Sequence, residues 1–296
     1  MRIVLFGFFA LGVTAATGAQ DLHLVPVDGG RFIMGSEEGD DNPPHDVVLS
    51  SFLMAEREIT VGEFREFTLA KEIPFQWTSY NFTQYVGRPA GYVIPDDRAM
   101  YFVMWYEAVW YANYRSEVEG LSKAYDFNEE ALRQYLYDYQ RGLDPPEIQW
   151  DRSANGYRLP TEAEWEFAAT DRGQVRTVPS ELLLSRTWVR ENANGKVHPV
   201  KAKVPTGLGL YDILGNVSEW CWDFYDSKYY EQSAIHDPTG PPTGEELSVF
   251  PGRKDIRVFR GCSWRTPLSF CGPRRRMATI APNRGTIGIR LVRNAD

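Results

Sequence analysis

Histidine and cysteine, the side chains that most often mark a metal or nucleophile site, are scarce: four and three in 296 residues. His23, His45, His198 and His236 are scattered without metal-ligand spacing, which argues against a histidine-based zinc or iron centre. Cys221, Cys262 and Cys271 are too few for a disulfide scaffold, so the core must carry stability; in an oxidising compartment they form at most one disulfide and leave one thiol over. There is no glycine-rich phosphate loop, no Gly-x-Ser-x-Gly elbow and no His-Glu-x-x-His helix. Positive charge is also short: the formal net charge is −8, so the overall field repels nucleic acid and anionic lipid, and neither is an expected partner. Past residue 20 no apolar run approaches the roughly 20 residues a membrane span needs.

Met1-Arg2, the apolar run Ile3 to Val13 and small residues up to Ala19 form the pattern of a secretory signal peptide, with cleavage expected near Ala19/Gln20. The alternative, a membrane anchor, needs a longer apolar run. No cysteine lies near the junction, which disfavours a lipid anchor. The expected location is therefore outside the cytoplasm: periplasmic, cell-surface or secreted. Residues 20–296 are expected to form one domain, because no linker, internal repeat or low-complexity tract divides them. Nine Trp, sixteen Tyr and sixteen Phe occur with 25 Gly and 19 Pro, a composition that favours short elements joined by ordered loops.

Strands are expected at Leu24 to Val27, Arg31 to Met34 and Val47 to Leu49, the first two joined by the turn Asp28-Gly-Gly30. The acidic run Glu37, Glu38, Asp40 and Asp41 reads as a solvated loop rather than a calcium loop. Thr60 with Glu63 is a capping box opening a helix of about ten residues behind Phe64 and Phe67. A second helix is expected from Tyr106 to Glu119 with Gly120 as its stop. A third follows Asn128, with Leu132, Tyr135, Leu136 and Tyr139 at helical spacing and Gly142 beyond. Thr161 and Glu164 give another capping box, whose helix buries Trp165, Ala168 and Ala169. The run from Arg257 to Val292 is broken by Gly261, Pro267, Gly272, Pro273, Pro282 and Gly285, and reads as short strands and loops.

Two stretches carry candidate chemistry. Asp212 and Glu219 bracket the turn Gly215-Asn216, whose carbonyls and the two carboxylates could form an oxygen-rich calcium cage; a hairpin turn held by an Asx hydrogen bond is the alternative. Cys262 and Cys271 are open to three roles: a soft-metal site for Cu(I), a redox pair or a structural disulfide. Nine arginines from Arg257 to Arg293 make this end basic; most are expected to pair with carboxylates and stitch an irregular fold, and some to line a groove for an acidic ligand. Asn81-Phe-Thr83 and Asn216-Val-Ser218 match a glycosylation pattern too frequent by chance to carry weight.

Longer motifs then fall into one order: Gly29-Gly30-x-Phe32-x-Met34-Gly35-Ser36, Glu58-Ile-Thr60, Gly156-Tyr-Arg-Leu-Pro-Thr-Glu-Ala-Glu-Trp-Glu166, Gly209-Leu-Tyr-Asp-Ile-Leu-Gly-Asn-Val-Ser-Glu-Trp220, Arg257-Val-x-Arg-Gly-x-Ser-Trp264 and Gly288-x-Arg290. This series resembles the formylglycine-generating enzyme or sulfatase-modifying-factor family, and its C-terminal part is similar to the C-type-lectin variable proteins of diversity-generating retroelements. The resemblance implies an α+β fold, C-type-lectin-like, with low regular secondary structure and short helices around small antiparallel sheets. It implies a structural calcium ion on the side chains of Asp212 and Glu219 and the carbonyls of Gly215 and Val217.

The enzymes of that family oxidise a substrate cysteine with O₂ through copper held between two thiolates spaced Cys-x₄-Cys. Here Cys271 occupies the second position and Thr266 the first, and a hydroxyl does not replace a soft thiolate on Cu(I). Ser263, the serine of the oxygen pocket, is present; Ser218 stands where a tryptophan is expected, Cys262 where the family has glycine, and Pro267 and Gly272 where the enzymes carry His and Arg. If the chain is an enzyme, Cys271 and Ser263 are its catalytic residues. By analogy with the variable proteins, Arg265, Thr266, Leu268, Phe270, Arg274, Met277 and Thr279 would form a binding face. The expected role is a non-catalytic C-type-lectin-like protein binding a protein or other extracytoplasmic ligand. The alternatives are a copper oxidase with altered ligation, perhaps through Cys262 and Cys271, and an accessory or maturation factor with a protein partner.

Overall fold

The computed structural model describes residues 22–37, 41–73, 93–138 and 144–295. Its architecture is the expected α+β arrangement, with five α-helices among the described residues set around small sheets.

The chain ends meet in one sheet. Strand β1 (Leu24–Val27) and the last strand, β11 (Val292–Asn294), both run antiparallel to β4 (Phe52–Ala55), with Leu24 opposite Ala55 and Val292 opposite Met54. Phe52 and Met54 are buried and Leu53 between them is half-buried, the period of two that fixes register. The hairpin β2 (Gly30–Met34) and β3 (His45–Leu49) pairs Phe32 with Val47. A short ladder joins β5 (Tyr125–Asp126) to β6 (Gln149–Trp150). The second main sheet has the order β10, β7, β8, β9: Ile287–Gly288, Ser218–Phe224, Ile256–Arg260 and Met277–Ile280. Only the β10–β7 pair is parallel.

Helix α1 (Val61–Ala70) starts where the sequence indicates. The Glu63 N–H donates to the Thr60 hydroxyl at 3.3 Å, and the Glu63 carboxylate accepts the Thr60 N–H at 2.8 Å. The same carboxylate holds Arg57 at 2.8 and 3.0 Å, so the cap also anchors the preceding turn. Helix α2 (Trp105–Val118) runs one residue ahead of the expected span at both ends, and Gly120 follows it at φ +68°. Its apolar stripe is broad because most of the helix, including Trp105, Trp110 and Tyr111, lies inside the core.

Helix α3 (Glu129–Asp138) is capped by Asn128, whose side chain accepts the Ala131 N–H at 2.9 Å; Leu132, Tyr135 and Leu136 are buried as expected. Tyr139 and Gly142, like Asn81, lie outside the described residues. Helix α4 (Glu162–Ala169) opens at the Thr161 capping box and is buried along its whole length. Helix α5 (Ser180–Arg186) has no counterpart in the sequence reading, since Leu183 is its one buried residue and no stripe announces it. Among the described residues no helix is long and apolar enough to cross a membrane.

The core divides in two. One part gathers α1, α2 and the aromatic segment around residues 99–112; the other lies between the β2–β3 hairpin, α4 and the β7–β8 pair. The C-terminal loops run over the second part.

Candidate functional site

The site is organised on α4. Glu162 and Glu166 stand one helical turn apart on its face toward β8. Arg260, fully buried at the end of β8, donates through Nη1 to Glu162 at 3.1 Å and through Nη2 to Glu166. Two further arginines come down from the loop beyond. Arg276 donates its Nε–H to both oxygens of Glu162 at 3.0 and 3.1 Å. Arg274 reaches the Gly35 carbonyl at 2.6 Å, the Ile33 carbonyl at 2.8 Å and Glu166 at 3.3 Å. Three buried arginines and two buried carboxylates offset one another's charge where lone charges would be very costly, although Arg260 Nε, Arg274 Nε and Arg276 Nη2 are buried without a partner among the described residues. The loop after β8 is thus tied down from beneath, and its irregular path is fixed without secondary structure.

A third acid adjoins this network. Asp223 accepts the Glu162 N–H at 2.8 Å, and burial beside Glu162 pushes its carboxyl up to about 8. The folded state therefore holds a proton there that the unfolded chain releases in the ordinary carboxylate range. That contribution is complete at acid pH and is lost as pH rises to about 8. Asp223→Asn, which keeps the acceptor and removes the charge, is expected to gain stability relative to the wild type progressively from pH 5 to 8 and to level off above. Melting temperatures across that range would show a constant difference if the argument were wrong.

Above the network sits the turn that the sequence marked. Gly261 opens it at φ +76°, with the Ile213 carbonyl 3.0 Å and the Trp165 ring 3.1 Å from where a Cβ would lie, so a side chain is strained there twice over. Cys262 and Cys271 are joined in a disulfide, with 5.6 Å between their Cα atoms, the bonded state common to a structural disulfide and an oxidised redox pair. Cys221 is the leftover thiol, fully buried, and burial pushes it well above the usual thiol range. Thr266 closes its own turn: its hydroxyl accepts the Ser263 N–H at 3.1 Å and lies 3.0 Å from the Ser263 hydroxyl, while its N–H donates to the Ser263 carbonyl at 2.9 Å. The sulfur of Cys271 and the hydroxyls of Ser263 and Thr266 are all engaged within the turn.

The seven proposed binding positions separate. Arg265, Thr266, Leu268 and Phe270 lie on the disulfide-closed turn, where Arg265 is exposed and Phe270 is 49% exposed. Arg274 is tied into the buried network beneath and also lines the cleft beside the turn, whereas Thr279 is buried on β9 with its hydroxyl accepting the Asn283 amide at 2.9 Å. Met277, also on β9, is half-buried. Alternation and direction cannot be read through an irregular loop, which is why Thr279 looked like part of the face. A cleft of about 410 Å³ borders the turn, with Asn42, Arg176, Val178, Phe270 and Arg275 on its walls. Arg275 stacks over Phe270 at 4.5 Å.

The second stretch leads into β7 and lies beside the residues that follow β4: the Tyr211 N–H donates to the Glu56 carbonyl at 2.8 Å. Glu219 is fully buried: its carboxylate receives Arg290 at 2.8 to 3.1 Å and the Trp165 indole N–H at 2.7 Å. Glu58, from the far side of the chain, accepts the Asn216 amide at 2.8 Å and the Val217 N–H at 2.9 Å. Asp212 uses one oxygen for the Lys201 N–H at 2.7 Å, and its other oxygen is buried with no partner. Burial and the neighbouring carboxylates push Glu58 upward and Asp212 up to about 6. Asp212 and Asn216 both have positive φ, +59° and +69°, the backbone of a tight turn. Asn216 is fully buried, so its glycosylation pattern cannot be an acceptor site in the folded chain. Glu58 carried no signal of a role here, because its partners are 158 and 159 residues away.

Comparison with known proteins adds identity to this geometry. The description of the sulfatase-modifying factor enzyme 1-like domain matches residues 13–295. Chaperone protein LppX of Paenibacillus barcinonensis is 30% identical over 243 residues, 74% of this chain and 77% of its own length. The formylglycine-generating enzyme of Streptomyces coelicolor is 35% identical over 161 residues, 48% of each chain, and the inactive C-alpha-formylglycine-generating enzyme 2 of Mus musculus is 28% identical over 83% of this chain and 75% of its own. Among solved structures, Treponema denticola variable protein 1 superposes with a TM-score of 0.73 at 28% identity, covering 92% of this chain and 95% of that one.

Proposed function

The chain belongs to the sulfatase-modifying factor enzyme 1-like family, and we propose that within it this protein is an exported, non-catalytic binding protein of C-type-lectin-like fold. The observation that carries the reading is the state of the turn Cys262 to Cys271. The first thiolate position is a threonine whose hydroxyl closes the turn on Ser263, and the sulfur at the second is bonded to Cys262. Neither offers Cu(I) the soft pair it prefers. The surface left by that turn, Arg265, Thr266, Leu268 and Phe270 with the cleft beside it, is the proposed contact for a protein or other extracytoplasmic ligand. Relatives of both kinds are compatible with this role: an inactive formylglycine-generating enzyme and a variable protein share the fold, and a chaperone is the relative that favours a protein as ligand.

Incubation with Cu(I), O₂ and a Cys-x-Pro-x-Arg peptide tests the reading. The peptide is expected to be recovered with its thiol intact. Conversion to the aldehyde would replace this reading by its alternative, an oxidase with altered metal ligation.

For the turn Asp212 to Glu219 we propose a structural calcium site. Glu58, Asp212 and Glu219 are all buried around one arginine, Arg290, so when ionised they carry a net −2, and the bare oxygen of Asp212 points to where a hard cation would be accepted. Asp212 and Glu219 with the carbonyls of Gly215 and Val217 would hold it, and its contribution there is charge neutralisation. Calcium is expected to raise the melting temperature above that in chelator, and Asp212→Asn to abolish the difference. An equal response of wild type and variant would remove this site.

A further inference from the structure

Four buried arginines of the C-terminal run, Arg260, Arg274, Arg276 and Arg290, are each paired with a buried carboxylate. Arg257 is the exception. It is 6% exposed, and among the described residues no carboxylate forms an ion pair with it. Its one hydrogen bond goes from Nη1 to the Trp222 carbonyl at 2.6 Å, and its Nε–H is enclosed with no acceptor. Aromatic faces take the place of a counter-ion: the guanidinium carbon is 3.7 Å from the Trp105 ring centre, 3.4 Å from Phe224 and 5.3 Å from Trp222. These contacts cover the flat faces of the group and offset only part of the cost of burial, which pulls Arg257 down to about 9.

Arg257 does not face a solid core. It lies on β8 opposite Phe224 of β7, at the wall of a cavity of about 690 Å³. Trp105, Tyr106, Trp222, Phe224 and Lys254 line the cavity with it. Two acids also reach the wall, but Asp255 is held by Arg253 at 2.7 Å, and Glu147 is exposed, so solvent screens its charge. The volume falls within the range that encloses small molecules, and an apolar aromatic wall with one or two convergent polar groups is the usual composition of such sites.

We propose that this cavity binds a small aromatic carboxylate, seated between Trp222 and Tyr106 with its carboxylate on the edge of Arg257 and Lys254 at the rim. The rings cover the faces of Arg257, Nη1 is taken by the Trp222 carbonyl and Nε is enclosed, which leaves Nη2 to donate a charge-assisted hydrogen bond to one carboxylate oxygen. The site lies apart from the turn Cys262 to Cys271 and does not depend on the function proposed for that turn.

Phenylacetate and indole-3-acetate, with their neutral amides as controls, provide the test, read by tryptophan fluorescence and calorimetry on the intact protein. The acids are expected to bind at one site and the amides at least tenfold more weakly, since the amide loses the charge-assisted bond. Arg257→Gln is expected to remove the preference for the acid, and Lys254→Ala to weaken the acid alone. Because Arg257→Gln could unfold the chain, the acid-to-amide ratio on the wild type decides independently. Absence of binding at millimolar acid, or equal affinity for acid and amide, would overturn the proposal.

Discussion

Arg260→Met is expected to lower stability by about 3–5 kcal/mol, the usual cost of removing one partner from a buried ion pair. In a domain of this size that corresponds to a fall of roughly 10 °C in melting temperature. Methionine fills most of the volume, so the loss measures charge rather than cavity. Arg260 is fully buried between Glu162 and Glu166 and also donates to the Pro273 carbonyl at 3.1 Å. Arg276 and Arg274 remain on the two carboxylates after the substitution, which caps the loss. Burial already pushes Glu166 above the usual carboxylate range. It will therefore take up a proton in the variant, and the deficit will shrink at acid pH. Adding Glu166→Gln should recover part of the loss, and a double-mutant cycle in urea reads this directly. Strictly additive losses would mean that the two side chains do not act as a pair.

Removing the disulfide by Cys262→Ala with Cys271→Ala is expected to cost about 2–3 kcal/mol, from the chain entropy of a short closed loop. The two residues are nine apart, and the turn between them is tied to the rest of the fold by single backbone contacts: the Trp264 N–H to the Asn216 carbonyl at 2.8 Å, the Arg190 N–H to the Thr266 carbonyl at 3.0 Å, and the Leu268 N–H to Glu191 at 2.9 Å. The effect should be local as well as global. Amide protons of Thr266 and Cys271 are expected to exchange much faster in the variant, while those of β7 and β8 slow and quicken only with overall stability. Cys221, fully buried, should stay unreactive to thiol reagents in the native protein and account for the single titratable thiol after unreduced unfolding. Two or three thiols would show that the pair is open.

Much of the local structure was legible because its causes are local. The capping boxes at Thr60 and Thr161 place two helices from four residues each, and the Asn128 cap with Leu132 and Leu136 places a third. Helix α5 was not legible, since a helix that buries only Leu183 has no periodic signature. The partners of the arginines were out of reach for a different reason. Arg260 meets Glu166 across 94 residues and Arg274 meets Ile33 across 241, and no spacing rule joins positions so far apart. The candidate site shows both limits. Position 266 could be singled out only through the family resemblance, which places a thiolate there, and the hydroxyl that stands in its place closes a turn. That Cys262 reaches Cys271, that Arg274 joins a buried network, that Thr279 is buried and that Arg257 has no ion-pair partner among the described residues depended on the path of the loops.

The proposed role makes this turn a scaffolded surface and not a copper site, which a competitive Cu(I) titration of the unreduced wild-type protein tests. No copper is expected to be retained against a thiolate-strength competitor, and one equivalent is expected to be gained on combining Thr266→Cys with Cys262→Gly, which restores the Cys-x₄-Cys spacing. One equivalent of copper bound tightly by the wild type would contradict it.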